Sequence, residues 1–223
     1  MTDIELDELV AQTYSYEEKL KPILDGIIDN SLYNSGIPKI LWILKEPYDL
    51  GDGLGGWDSR DDIKSRPETY FKYRTWKRIA YASYGILNNT TYEEAKEKPE
   101  VFRILNSIAY INLSKYPANT TSSNRWKHFE NTYSKCKSVL LQQIINYNPD
   151  IIIIGNITYL FLPDFNLTWD DKISLPLMKK SYFKYFNKLI IDAYHPSIPT
   201  RWISENDYCT AIINKAKDWL SET

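Results

Sequence analysis

Apolar residues fall into two patterns along the chain. Four short runs are almost continuously apolar and rich in β-branched or aromatic residues: 39–44 (KILWIL), 107–113 (SIAYINL), 150–154 (DIIII) and 189–193 (LIIDA). Runs of this length suit strands covered on both faces, as in parallel sheets. Long connections between them predict crossover helices near 69–85, 92–105 and 129–147. Leu6, Leu9 and Val10, then Leu20, Ile23, Leu24, Ile27 and Ile28, recur at three-to-four spacing and predict an N-terminal helical region over about 1–36, closed by Asn34-Ser35-Gly36. Tyr208, Ile212, Ala216 and Trp219 repeat the spacing and predict a last helix over 206–220, while Pro149, Pro163 and Pro176 delimit the third and fourth strands. The expected fold is α/β, a three-layer α/β/α arrangement around a four-stranded parallel sheet with strands near 39–45, 107–113, 150–155 and 188–193.

Composition narrows the class. A chain of 223 residues with 43% hydrophobic and 25% charged residues can bury one sizeable core, so a single domain over 1–223 is expected, and disordered and collagen-like classes are excluded. The longest apolar runs are strand-sized, far short of the roughly 18 residues of a spanning helix, and the start MTDIELDELV lacks a basic segment followed by an apolar one. A cytoplasmic, monomeric protein without membrane partners is therefore expected. Cys136 and Cys209 are too few for a four-thiolate zinc or iron–sulfur site and fall in predicted helices, where they read as buried thiols. The net charge of −2 gives no global reason to expect nucleic acid, yet it is uneven: residues 1–20 carry −5, and the stretches 101–140 and 172–201 carry +5 each. Solvated helix faces and loops are the plain reading of such stretches.

In open parallel α/β sheets, ligands bind beyond the carboxyl ends of the strands. There the chain places Lys45-Glu46-Pro47-Tyr48-Asp49 and a glycine-rich loop after the first strand, Asn112 within the second, Gly155-Asn156 after the third and Tyr194-His195-Pro196-Ser197-Ile198-Pro199 after the fourth. Asn156 is suited to cap a following helix.

The order of these motifs resembles the uracil-DNA glycosylase superfamily, over about residues 37–202. Its members carry an acidic Pro-Tyr loop after the first strand, an Asn ending a central apolar strand and a His-Pro-Ser loop after the last. The matching residues are Glu46-Pro47-Tyr48, Ile111-Asn112-Leu113 and His195-Pro196-Ser197. The chain departs from the commonest pattern in having Leu44 and Lys45 where a glycine and a glutamine stand, and Glu46 where an Asp stands. It also lacks the leucine that fills the gap left by a flipped base, for which Arg201 is the candidate substitute. The resemblance implies a DNA glycosylase acting on uracil or a related damaged base, with DNA as partner, no metal and no organic cofactor, and Ser197 as part of the substrate site.

The residue chemistry fits that activity independently. Breaking a deoxyribose N-glycosidic bond builds positive charge on the sugar and negative charge on the departing base, so the site needs an anion near the sugar and donors aimed at the base. Glu46 is the candidate anion or general base, His195 the candidate neutral donor, Asn112 a reader of a uracil-like edge and Tyr48 a steric gate against a 5-methyl group. A base must be flipped out to reach such a pocket. Tyr70, Phe71, Tyr73 and Trp76, interleaved with Lys72, Arg74, Lys77 and Arg78, are candidates for stacking bases and contacting phosphates; Lys72, Arg74, Lys179, Lys180 and Arg201 are the nucleic-acid contacts singled out. His128 receives no role. Two alternatives stay open. One is a catalytically silent member that binds nucleic acid or a free base or nucleotide. The other is a metal-dependent hydrolase built on the acidic loop 46–62, whose Glu46, Asp49, Asp52, Asp58, Asp61 and Asp62 are suited to Mg²⁺.

Overall fold

The computed structural model describes residues 1–49, 51–118 and 126–222. Leu50 of the glycine-rich loop and Arg125 of the first basic stretch lie outside the described residues. Seven strands form one mixed sheet: β1 (Gly26–Ile27), β2 (Ile40–Leu44), β3 (Ala109–Asn112), β4 (Ile151–Gly155), β5 (Ile173–Leu175), β6 (Lys180–Tyr185) and β7 (Lys188–Ala193), in the order β1-β3-β2-β4-β7-β6-β5. The four expected strands are its centre, with β3, β2, β4 and β7 mutually parallel. The expectation of a four-stranded parallel sheet is corrected by three antiparallel additions, β1 on β3 and the β5–β6 pair on β7. These strands escape a search for apolar runs for a physical reason. β1 is two residues long, and β6 (KSYFKY) buries only Phe183 fully, because it lies outside the doubly covered centre.

Successive side chains of the central strands go to opposite faces, and each face has its own core. Ile40, Trp42 and Leu44 of β2, Ile151 and Ile153 of β4, and Leu189 and Ile191 of β7 share one cluster with residues of α5 (Arg74–Leu87) and α9 (Glu205–Glu222). Leu41, Ile43, Ile152, Ile154 and Ile190 share the other with residues of α1 (Asp3–Thr13) and α7 (Trp126–Tyr147). Helices therefore cover both faces of the sheet. Cys136 and Cys209 are buried, unbridged thiols on α7 and α9. Among the described residues, no helix is long and apolar enough to cross a membrane.

The helix expectations need three further corrections. Residues 20–28 are not helical. Pro22 and Gly26, the latter at φ +147°, break the pattern, and the chain runs extended, with Lys21 N–H bonded to Leu54 O and Leu24 N–H to Trp57 O. Its apolar residues enter the core from a loop, and α2 (Asn30–Ser35) follows, capped by Asp29. Residues 69–85 hold the end of the short helix α4 (Pro67–Tyr70) and most of α5, with a further short helix, α3 (Ser59–Ser65), ahead of them, while 92–105 becomes α6 (Tyr92–Lys96) and a 3₁₀ segment, Val101–Ser107. Asn156 does not cap a helix: it sits at φ +65°, donates its N–H to Ala193 O, and the short α8 (Thr158–Phe161) has Ile157 at its uncapped start.

Helices α5 and α9 meet at Gly85, where a Cβ would lie 2.4 Å from Ile213 Cδ1 and 2.7 Å from its Cγ1. Ile213 is itself buried. Gly85→Ala is therefore expected to lower stability by about 1–3 kcal/mol through overpacking despite its better helix propensity, measured by the urea midpoint. Ile213→Val in the same chain should recover part of the loss; an Ala variant as stable as the parent would refute the tight contact.

Candidate active site

The loops after β2 and β3 stay paired beyond the strands. Leu113 N–H bonds to Leu44 O, Ser114 N–H to Lys45 O and Ala118 N–H to Pro47 O, which carries Glu46 and Asn112 to the same edge of the sheet. Behind Asn112 lies a network of buried polar groups. Asp25 accepts the Asn112 backbone N–H at 2.7 Å and the Lys115 ammonium at 2.6 Å, and Gln143 bonds to both Lys115 and Asp25 and reaches the Tyr147 hydroxyl. The Lys115 and Asp25 side chains are inaccessible to solvent. Burial pushes the Lys115 ammonium down, and Asp25 opposes that shift. Lys115, read from sequence as part of a basic surface stretch, is thus a core residue.

Asn112 is only 3% exposed. Its backbone is engaged, but among the described residues no side-chain hydrogen bond holds its amide. A buried amide normally has partners, so this one offers a donor and an acceptor to whatever occupies the space beside it.

The His195 loop is clamped from α5. The buried Arg78 guanidinium donates to Pro196 O, Ile198 O and Ile203 O at 2.9–3.2 Å and lies 4.9 Å from the Tyr208 ring centroid. Arg78, grouped from sequence with phosphate contacts, is instead the internal brace of this loop. Gly155 of β4 leaves room for it, since a Cβ there would stand 3.3 Å from His195 Cα. The Ser197 backbone N–H donates to His195 Nδ1 at 3.2 Å, and the Ser197 hydroxyl lies 2.8 Å from the same nitrogen. Burial first, and the Lys45 ammonium second, hold the imidazole down to about 3. The ring is therefore neutral, and because Nδ1 accepts, its proton is on Nε2.

One cavity of about 990 Å³ collects the expected residues: Glu46, Tyr48, Asn112, His195 and Ser197 all line it. Glu46 is half-buried and Tyr48 is 50% exposed at the mouth. Sequence reasoning missed much of the remaining wall, including Ser59, Arg66 and Tyr110, because these residues come from separate elements and form no local pattern. Of the aromatic stretch, Tyr70, Tyr73 and Trp76 line the cavity, but Phe71 packs on the core and Trp76 stands edge-on to Tyr110.

The nucleic-acid candidates divide. Lys72, Arg74, Lys179 and Arg201 are exposed, and Arg74 reaches Ser197 O at the cavity edge. Lys180 is not a free cation: it pairs with Asp192 at 3.2 Å and lies over the Tyr194 ring. His128 is exposed on α7. The acidic loop does not converge on a point, and among the described residues no group of three or more His, Cys, Asp and Glu side chains is arranged to hold a metal ion. No known protein family and no curated protein sequence matches the chain.

Two measurements check this geometry. Lys115→Met should cost about 3–5 kcal/mol in denaturant unfolding by leaving Asp25 buried without its counter-charge; a neutral effect would refute the buried pair. For His195, the folded pKa lies below the ordinary imidazole value of 6.5. The unfolded chain therefore takes up the proton first, and this contribution to stability is complete above pH 6.5 and lost as pH falls towards 3. Nitrogen NMR of the ring should report the neutral Nε2–H form from pH 7 to pH 4. A titration midpoint near 6.5 would show an open, solvated ring.

Proposed function

We propose that the chain has a uracil-DNA glycosylase-like fold and hydrolyses the N-glycosidic bond of uracil or a related damaged base flipped out of DNA. The observation that carries the reading is the buried residue Asn112, whose amide has no hydrogen-bond partner among the described residues, in the same cavity as Glu46 and His195. An amide with both a free donor and a free acceptor complements the edge of a nucleobase. The position of this cavity beyond the carboxyl ends of β2, β3 and β7 supports it further.

In this reading each group has one task. As the C1′–N bond lengthens, positive charge grows on the sugar, and the Glu46 carboxylate stabilises it and orients the attacking water. The electron pair of the broken bond goes to the base, where His195 Nε2–H donates to the oxygen that gathers negative charge. An imidazole neutral at working pH donates this hydrogen bond without giving up its proton. Asn112 reads the base edge, Tyr48 restricts what enters at the mouth, and Ser197 holds Nδ1 as acceptor. Lys72, Arg74, Lys179 and Arg201 are the exposed cations available to phosphates.

The test is single-turnover base release from oligonucleotides carrying uracil, hypoxanthine or another lesion. Glu46→Gln and His195→Ala should each lower the rate by on the order of 10² or more while DNA affinity stays within a few-fold, since phosphate contacts supply most of it. Lys72→Ala with Arg74→Ala should weaken binding and flatten its salt dependence with little change in the bound-state rate. DNA binding with no base release from any of these substrates would overturn the enzyme and leave a silent binder.

A further inference from the structure

The cavity is roomy and its wall is rich in carboxylates. At about 990 Å³ it matches the upper range of small-molecule sites. Its wall holds five carboxylates, Glu46, Asp49, Asp58, Asp61 and Asp62, against one guanidinium, Arg66. Arg66 is committed to Asp62, whose other oxygen takes the Tyr70 hydroxyl. Asp58 shares Arg60 with Asp7, and Asp49 accepts the N–H groups of Gly51 and Gly55. Asp58 and Asp62 are thus compensated by Arg60 and Arg66, while among the described residues no ion pair engages Asp49 or Asp61, which keep the wall net anionic.

A spread of carboxylates that does not converge on a point suits a delocalised organic cation better than a metal ion. The aromatic wall agrees, because Trp57, Tyr73 and Trp76 offer ring faces or edges in the same space, and ring faces attract cations. The Asn112 amide, without a hydrogen-bond partner among the described residues, is the independent sign that a polar ligand belongs there.

We propose that the cavity selects a positively charged, flat nucleobase, an N-alkylated purine, over neutral bases. The proposal rests on the glycosylase reading and names its substrate class. The leaving-group charge supplies the physical reason. Uracil departs as an anion, which a net anionic wall disfavours. When an N-alkylated purine departs, the C1′–N bond breaks, its electron pair neutralises the ring cation, water supplies the new oxygen on C1′, and the proton released passes to Glu46 or to solvent. The base leaves neutral, and negative charge nearby favours the sugar cation throughout.

The test uses the whole chain and two nucleosides of equal mass, 1-methyladenosine, a cation at neutral pH, and N6-methyladenosine, which is neutral. Calorimetry should show the cation bound at least tenfold tighter, with the difference shrinking in high salt and in Asp61→Asn combined with Asp49→Asn. Base release from oligonucleotides carrying 7-methylguanine, 3-methyladenine or uracil is measured alongside, with the methylated purines expected to leave faster. Equal binding of the two nucleosides, or faster release of uracil, overturns charge selectivity while leaving a glycosylase. Selective binding with no release of any base supports the cation site and overturns the glycosylase reading instead.

Discussion

The buried ion pair between Lys115 and Asp25 ties together the segments that build the cavity. Two charges withdrawn from water are stable only if each finds partners, and here Lys115 bonds to Asp25 and Gln143 while Asp25 also takes the Asn112 N–H. The Lys115 carbonyl in turn accepts Ile23 N–H, so the extended segment 21–25 is drawn against the end of β3. That segment pairs onward with Leu54 and Trp57, and the loop carrying Asp58 is thereby fixed beside the carboxyl edge of the sheet. Removing the pair would loosen the backbone of Asn112 and the acidic wall together.

A second brace acts on the opposite side. Arg78 satisfies three carbonyls of the 196–203 segment from within α5, and the same helix lends Thr75 and Trp76 to the cavity wall. One helix therefore positions both the histidine loop and part of the surface that a ligand would meet. Arg74, one turn earlier, touches Ser197 O from the solvent side. The loop is held by its carbonyls, and among the described residues Ser197 is the hydrogen-bonding partner that orients the His195 ring.

Much of this arrangement was legible in the sequence, for definite reasons. KILWIL, SIAYINL, DIIII and LIIDA are strands covered on both faces, so their apolar runs are unbroken, and parallel pairing brings all their carboxyl ends to one edge. Glu46, Asn112 and His195 share a cavity as a direct consequence. What escaped is non-local or half-solvated. Asp25 and Lys115 are 90 residues apart, and nothing near either announces a partner. Arg78 lies in a run with Arg74 and Lys77 and shows its burial only once α5 is set against α9 and the 196–203 loop. Leu20, Ile23 and Leu24 have helical spacing, yet Pro22 and pairing with 54–57 override it.

Lys45 and the carboxylates give the cavity two electrostatic ends. In a pocket with five carboxylates, an imidazole would be drawn towards its charged form if those groups faced it. His195 instead is held down to about 3, and the charge that acts on it is the Lys45 ammonium, which stands over the Trp126 and Phe129 rings. The histidine end thus presents an uncharged hydrogen-bond donor, and the wall from Asp49 to Asp62 favours positive charge. In the proposed reading, a nucleoside with its base edge on Asn112 and His195 would place its sugar, where the cation develops, near the Glu46 carboxylate. In that reading the carboxylates would favour positive charge first on the bound base and then, as the bond breaks, on the sugar, so binding and cleavage would draw on the same field.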